Sequence, residues 1–136
     1  MTRQKKHQSD FTVRGYELDS YGHLNNAVYL QYLEQARWEY TRDTGILRDI
    51  TVGHLLLVVI ETHIRYIREL SLFDRVTVET SCQVHEPFLE FRQRIMEKES
   101  GKPVARATVK TLFVDRDRTP RDIPGNIIRI INQEAR

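Results

Sequence analysis

Asn25-Asn26-Ala27-Val28-Tyr29-Leu30-Gln31-Tyr32-Leu33-Glu34-Gln35-Ala36-Arg37-Trp38-Glu39-Tyr40-Thr41-Arg42-Asp43-Thr44-Gly45 is the stretch on which the fold turns. Tyr29, Tyr32, Leu33, Ala36 and Tyr40 recur at helical spacing and fall within an arc of about 100° at 3.6 residues per turn. Gln31, Glu34, Gln35 and Arg42 lie outside that stripe. Asn25 or Asn26 is a natural N-cap and Gly45 a natural C′ residue, so both ends are signposted. The spacing predicts a helix over residues 27 to 44, about 27 Å long. No other stretch reads as a helix of this length.

Before the helix, Phe11 and Val13 stand two apart among residues of high β propensity, so residues 11 to 17 read as a short strand. Residues 18 to 26 are rich in Asp, Ser, Gly and Asn, which close turns and cap helices. After the helix, residues 47 to 54 read as a loop, and from there the period is two. In residues 55 to 68 it groups Leu56, Val58, Ile60, Ile64 and Tyr66 on one side and Glu61, His63 and Arg65 on the other. In residues 75 to 85, Val76, Val78, Cys82 and Val84 alternate with polar residues, as in a strand with one wet face. Residues 88 to 99 place Leu89, Phe91 and Ile95 together, and residues 104 to 114 place Ala105, Ala107, Val109 and Phe113 together.

Ser100-Gly101-Lys102 is a hairpin signal, and the other breaks between strands are short, so neighbouring strands are expected to pair as an antiparallel meander. A single helix with an apolar stripe needs a cover, and one face of that sheet is the only large apolar surface on offer. The expected fold is therefore α+β: a five-stranded antiparallel sheet wrapped around one long central helix. Residues 1 to 9 are expected to be a flexible segment and residues 10 to 124 the domain. Residues 125 to 136 are read as a tail that can form a short, weakly anchored helix. A lone sheet leaves an unpaired edge, so a homodimer or homotetramer is expected.

The 136 residues suit one domain, and the balance of 40% hydrophobic to 29% charged is that of an ordinary globular protein. The 21 basic and 19 acidic residues are scattered, with only Arg3, Lys5 and Lys6 clustered, so neither a nucleic-acid partner nor a membrane partner is expected. No stretch approaches the roughly 20 apolar residues of a membrane span, and a cytoplasmic location is the expectation. The single cysteine, Cys82, excludes an internal disulfide; in the apolar register of its strand it reads as a core residue. The five histidines lack ligand spacing and no phosphate-cradling glycine loop occurs, so no metal and no organic cofactor is called for.

The stretch from Asp19-Ser20-Tyr21-Gly22-His23-Leu24-Asn25-Asn26 through the helix to Glu34-Gln35-Ala36-Arg37 resembles the hotdog-fold acyl-CoA thioesterases of the 4-hydroxybenzoyl-CoA thioesterase type. The resemblance continues through Ile64-Arg65-Tyr66, Phe73-Asp74-Arg75-Val76 and Ile123-Pro124, covering roughly residues 10 to 124. It implies that Asp19 is the catalytic nucleophile or general base and that a backbone amide near Asn26 binds the thioester carbonyl. It also implies an acyl-CoA or acyl-carrier-protein thioester as substrate. Relatives often carry Asp two positions before that acid, where this chain has Glu17.

The chemistry agrees, because a thiolate with a pKa near 8.5 leaves readily, so one carboxylate and an oxyanion site suffice. His23, Asn25 and Asn26 are candidates to position water or the acyl carbonyl. Glu61 and His63 share one side of their strand and could reach the site from a partner subunit. Taken alone, Asp19, His23 and the Asn pair would be turn residues. Arg92 and Arg94 share one strand face that reads as plain wet surface. Two other functions fit the same pocket. One is a hotdog hydratase or dehydratase with a His and an acid brought together, and the other is a non-catalytic acyl-CoA-binding module.

Overall fold

The computed structural model describes residues 6 to 134. The helix α1 (Asn26–Thr44) starts at Asn25, whose side chain accepts from the Ala27 N–H at 2.9 Å, and ends at Gly45, whose φ of 89° is the left-handed conformation that glycine adopts without Cβ strain. Tyr29, Tyr32, Leu33, Ala36 and Tyr40 are all buried. Six antiparallel strands cover them: β1 (His7–Thr12), β2 (Leu56–Tyr66), β3 (Arg75–His85), β4 (Phe88–Glu97), β5 (Pro103–Val114) and the two-residue β6 (Pro120–Arg121). Their order is β1-β3-β4-β5-β2, with β6 added to β5. This is the expected sheet around one long helix, extended by one short strand.

The core divides along α1. Tyr29, Tyr32, Leu33 and Ala36 pack with Val76, Val78, Ile95, Ala105 and Ala107 under its first half. Tyr40 packs with Cys82, Leu89, Phe91, Val109 and Phe113 under its second. The inward registers of β3, β4 and β5 are those read from alternation. Burial pushes the Cys82 thiol up, away from the thiolate form, as befits a core residue.

Several expectations are corrected. Residues 7 to 9 belong to β1, paired with Thr80, Glu79 and Val78; Arg3 and Lys5 lie outside the described residues. The inward side chains there are His7 and Ser9, so alternation of hydrophobicity could not mark them. His7 meets the Tyr40 ring edge-on and bonds Asp43 on α1 at 2.8 Å. Gly15–Glu17 is a 3-10 turn, not strand. The expected loop at residues 47 to 54 is largely α2 (Ile46–Val52), a helix too short to show its period but held by buried Ile46 and Ile50.

The meander fails at β2. It skips its sequence neighbour β3 and pairs with β5 on the far edge. The connection from β2 to β3 crosses beside the start of α1, where Leu70 is fully buried and its carbonyl accepts from Leu24 N at 2.8 Å. A bulge between Val59 and Glu61 also shifts the register. By cross-strand pairing with buried Val109, Thr111 and Phe113, the inner face holds Leu57, Val59, Thr62, Ile64 and Tyr66. Leu56 and Val58 therefore share the outer face with Glu61, His63 and Arg65, contrary to the uninterrupted alternation.

The tail is anchored. Residues 125 to 134 form α3 (Gly125–Glu134), and Ile127 and Ile131 bury completely or nearly so in the core beneath the second half of α1. We expect Ile127→Ala to lower the unfolding free energy by about 2 to 5 kcal/mol in urea titration; a change below about 0.5 kcal/mol would mean the helix is loosely held after all.

Candidate functional site

The segment leading into α1 is a closed loop. Leu18 bridges Leu24, and Asp19 N donates to His23 O at 2.8 Å, leaving Ser20, Tyr21 and Gly22 at the tip. Gly22 has φ of 80°, which a residue with a Cβ adopts only under strain. Asp19 Oδ1 accepts from Tyr21 N at 2.9 Å and from His23 N at 3.2 Å, an Asx turn that fixes the carboxylate. Its second oxygen, Oδ2, accepts no hydrogen bond among the described residues, so one face of the carboxylate remains available for chemistry.

Beneath the loop lies Glu17, a carboxylate with 7% of its side chain exposed. Its Oε1 accepts from the Tyr32 hydroxyl at 2.6 Å and from Arg14 N at 2.8 Å, while its backbone carbonyl accepts from Asn25 N at 3.0 Å. One residue thus ties the loop to the helix flank and to the helix cap. Burial, then Glu17, pushes the Tyr32 hydroxyl well above the ordinary tyrosine range, so it remains a donor at any physiological pH.

The helix start is narrower than the sequence suggested. Asn25 N–H is taken by Glu17, Ala27 N–H by Asn25 Oδ1, and Val28 N–H by Asn25 O. Of the first amides, Asn26 N–H alone has no acceptor among the described residues. That agrees with a donor near Asn26 and removes the amides of Asn25 and Ala27. A lone N–H at the positive end of a helix is suited to an oxyanion. Tyr66, which sequence reasoning left among the apolar residues of its strand, reaches this corner: its hydroxyl donates to Asn26 O at 3.1 Å and its ring meets Tyr29 edge-on.

The other predicted residues diverge. The His23 ring turns to Glu69, Nδ1 to Oε2 at 2.8 Å, and not to Asp19. Asn25 is spent on capping, while the Asn26 side chain is exposed. Glu61 and His63 lie on the outer face of β2 and are not brought to the Asp19 loop within one protomer. Among the described residues no three His, Cys, Asp or Glu side chains gather as metal ligands.

A cleft of about 360 Å³ opens between α1, α2 and β2. Glu34, Arg37, Trp38 and Thr41 form one wall, Leu47 and Ile50 the end, Leu55, Leu56, Leu57 and Val59 the other wall, and Phe91 and Thr111 the floor. Asp19 is not part of it, but helical geometry links the two. At 100° per residue Asn26, Leu30, Glu34, Arg37 and Thr41 fall within about 80° of arc, so the helix start and the cleft share one flank of α1. No lining residue of the cleft could have been marked as such without knowing that β2 lies beside α1.

Comparison with known proteins gives a consistent result. A family model described as the Thioesterase-like superfamily matches residues 13 to 131. The long-chain acyl-CoA thioesterase FadM of Escherichia coli (strain K12) is 38% identical over 76 residues, which are 56% of this chain and 58% of FadM. The acyl-acyl carrier protein thioesterase ATL2, chloroplastic, of Arabidopsis thaliana is 27% identical over 123 residues, 89% of this chain and 65% of ATL2. This chain therefore spans less than two thirds of either relative. The crystal structure of YbaW from Escherichia coli, described as a probable thioesterase, superposes with a TM-score of 0.86 at 29% identity, covering 96% of this chain and 99% of that one.

The Glu17 tie has a measurable consequence. Tyr32→Phe removes one donor from a buried carboxylate and is expected to cost about 1 to 3 kcal/mol of stability by chemical denaturation; a neutral substitution would show that the tie carries no weight.

Proposed function

Given that the chain belongs to the Thioesterase-like superfamily, we propose that it hydrolyses long-chain acyl-CoA thioesters to the free acid and CoA, with Asp19 as nucleophile or general base. The observation that carries this is the pairing of a carboxylate held by its own loop with one unclaimed helix-terminal amide, on a helix flank that leads to an apolar cleft. Supporting it, FadM is named for long-chain acyl-CoA.

The acyl carbonyl rests against Asn26 N–H, where the developing negative charge meets the positive end of α1. Asp19, through Oδ2, either attacks the carbonyl carbon or takes a proton from the attacking water. The thiolate of CoA leaves without a strong acid, because it is stable near neutral pH. The acyl chain follows the flank of α1 into the cleft, shielded by leucines.

A second copy completes the site. Among the described residues β2 pairs only on its β5 side, and it exposes Leu56, Val59, Ile60 and Tyr66, the composition of an edge that is covered in use. Antiparallel pairing of two β2 edges about a two-fold axis sets the Tyr66 end of one copy beside the Leu56 end of the other. The neighbour's edge then closes the cleft of each copy where Leu56 and Val59 border it, while Glu61 and His63 stay on the outer face, away from α1, in both copies.

One observation favours a second reading. His23 and Glu69 form a His–acid pair beside the site, as a hydratase would require, although both are substantially exposed, with 38% and 68% of their side chains accessible. Release of CoA, read with a thiol reagent over short, long and aromatic acyl-CoAs and an acyl-carrier-protein thioester, separates the readings from hydration of an enoyl-CoA. Asp19→Asn is expected to lower kcat/KM roughly a hundredfold or more; equal rates for the variant and the parent on the best substrate would remove Asp19 from the mechanism. Ile60→Lys, a charge on the exposed edge, should convert the assembly to monomer in sedimentation analysis and lower activity with it, whereas an unchanged oligomer would place the interface elsewhere.

A further inference from the structure

The cleft wall carries a cation that a plain hydrocarbon chain does not need. Arg37 stands on its wall with Trp38, Leu47 and Leu57 nearby, and burial, partly offset by Glu34, pulls its guanidinium below the ordinary arginine range. Of its five N–H donors, the described residues engage one: Nη1 donates to Gln93 Oε1 at 3.1 Å. Gln93 is itself fully buried and committed, donating to Leu33 O at 2.9 Å and Thr80 Oγ1 at 3.1 Å. Among the described residues no carboxylate lies within ion-pair distance of Arg37. Arg37 is half-buried on the wall of an open cleft, so its unused N–H groups face space where an acceptor on a bound chain would meet them in place of water.

We propose, resting on the thioesterase reading, that Arg37 is a specificity-determining residue that donates to an oxygen at the far end of the acyl chain. The preferred substrates are then long-chain acyl thioesters oxygenated at the ω end, as hydroxyl or carboxylate. Position supports this. Arg37 is eleven residues beyond Asn26, about 16 Å along α1, and within about 20° of it in rotation. A chain whose carbonyl rests at Asn26 therefore meets Arg37 with its distal carbons. Glu34, on the same wall, accepts from an ω-hydroxyl but opposes an ω-carboxylate, which distinguishes the two chemistries.

The test is hydrolysis of hexadecanoyl-CoA and of its ω-hydroxy and ω-carboxy counterparts by the parent protein, Arg37→Met and Arg37→Lys. The parent is expected to favour at least one oxygenated substrate roughly tenfold or more in kcat/KM, with that ratio collapsing toward one in Arg37→Met and partly restored in Arg37→Lys. Calorimetric binding of hexadecanoate, ω-hydroxyhexadecanoate and hexadecanedioate to the parent reads the same preference without any variant. Absence of preference in the parent, or a ratio unchanged in Arg37→Met, overturns the role of Arg37 while leaving hydrolysis intact. Failure to release CoA from all three substrates overturns the thioesterase reading and this inference with it.

Discussion

The apolar stripe of α1 must be kept from water, and the rest of the molecule is arranged around that need. A 19-residue helix with five large or small apolar residues on one face cannot persist alone in water, since most helical stability comes from packing. The sheet supplies the cover, and because strands twist it curls along the helix axis and leaves the two ends differently placed. The C-terminal end is closed by α2 and α3, with Ile50, Ile127 and Ile131 filling the space beneath. The N-terminal end is closed by the loop of Asp19 together with the β2–β3 connection at Leu70. Tyr32, one of three tyrosines on the buried stripe, bonds Glu17 through its hydroxyl, and that bond fixes how the loop sits on the helix.

What was legible in the sequence was whatever had a local signal. α1 carries a period and two caps; β3, β4 and β5 alternate over most of their length and pair with their sequence neighbours, so their inner faces followed directly. β2 was not legible, for two reasons. Its partner is set by a long connection pinned at Leu70, a non-local fact, and its bulge at Ile60 reverses the faces of Leu56 and Val58 relative to Ile64 and Tyr66. β1 was read late because its inward residues are His7 and Ser9. α2 and α3 were missed or undervalued because short helices bury only two residues each.

The candidate site divides the same way. The turn chemistry around Asp19, Gly22 and Asn25 is local, and the sequence places all three correctly at the mouth of α1. Which amide stays unclaimed is not local. It depends on the Glu17 carbonyl reaching Asn25, and on the choice of Asn25 over Asn26 as the cap. His23 reads as a neighbour of Asp19 and is one along the backbone, yet its ring is drawn to Glu69, 46 positions on. Tyr66 gains its position, and Arg37 its neighbours across the cleft, from the pairing of β2 with β5, which no pattern of residue types announces.

Trp38 is the single tryptophan of the chain, half exposed on the wall of the cleft. Indole emission shifts with the polarity and rigidity of its surroundings, and with one indole, excited at wavelengths the six tyrosines hardly absorb, the signal reports on one place in the fold. The protein therefore carries an optical reporter at the place where a hydrocarbon chain would displace water, which makes occupancy of that space readable in unlabelled protein, apart from any turnover.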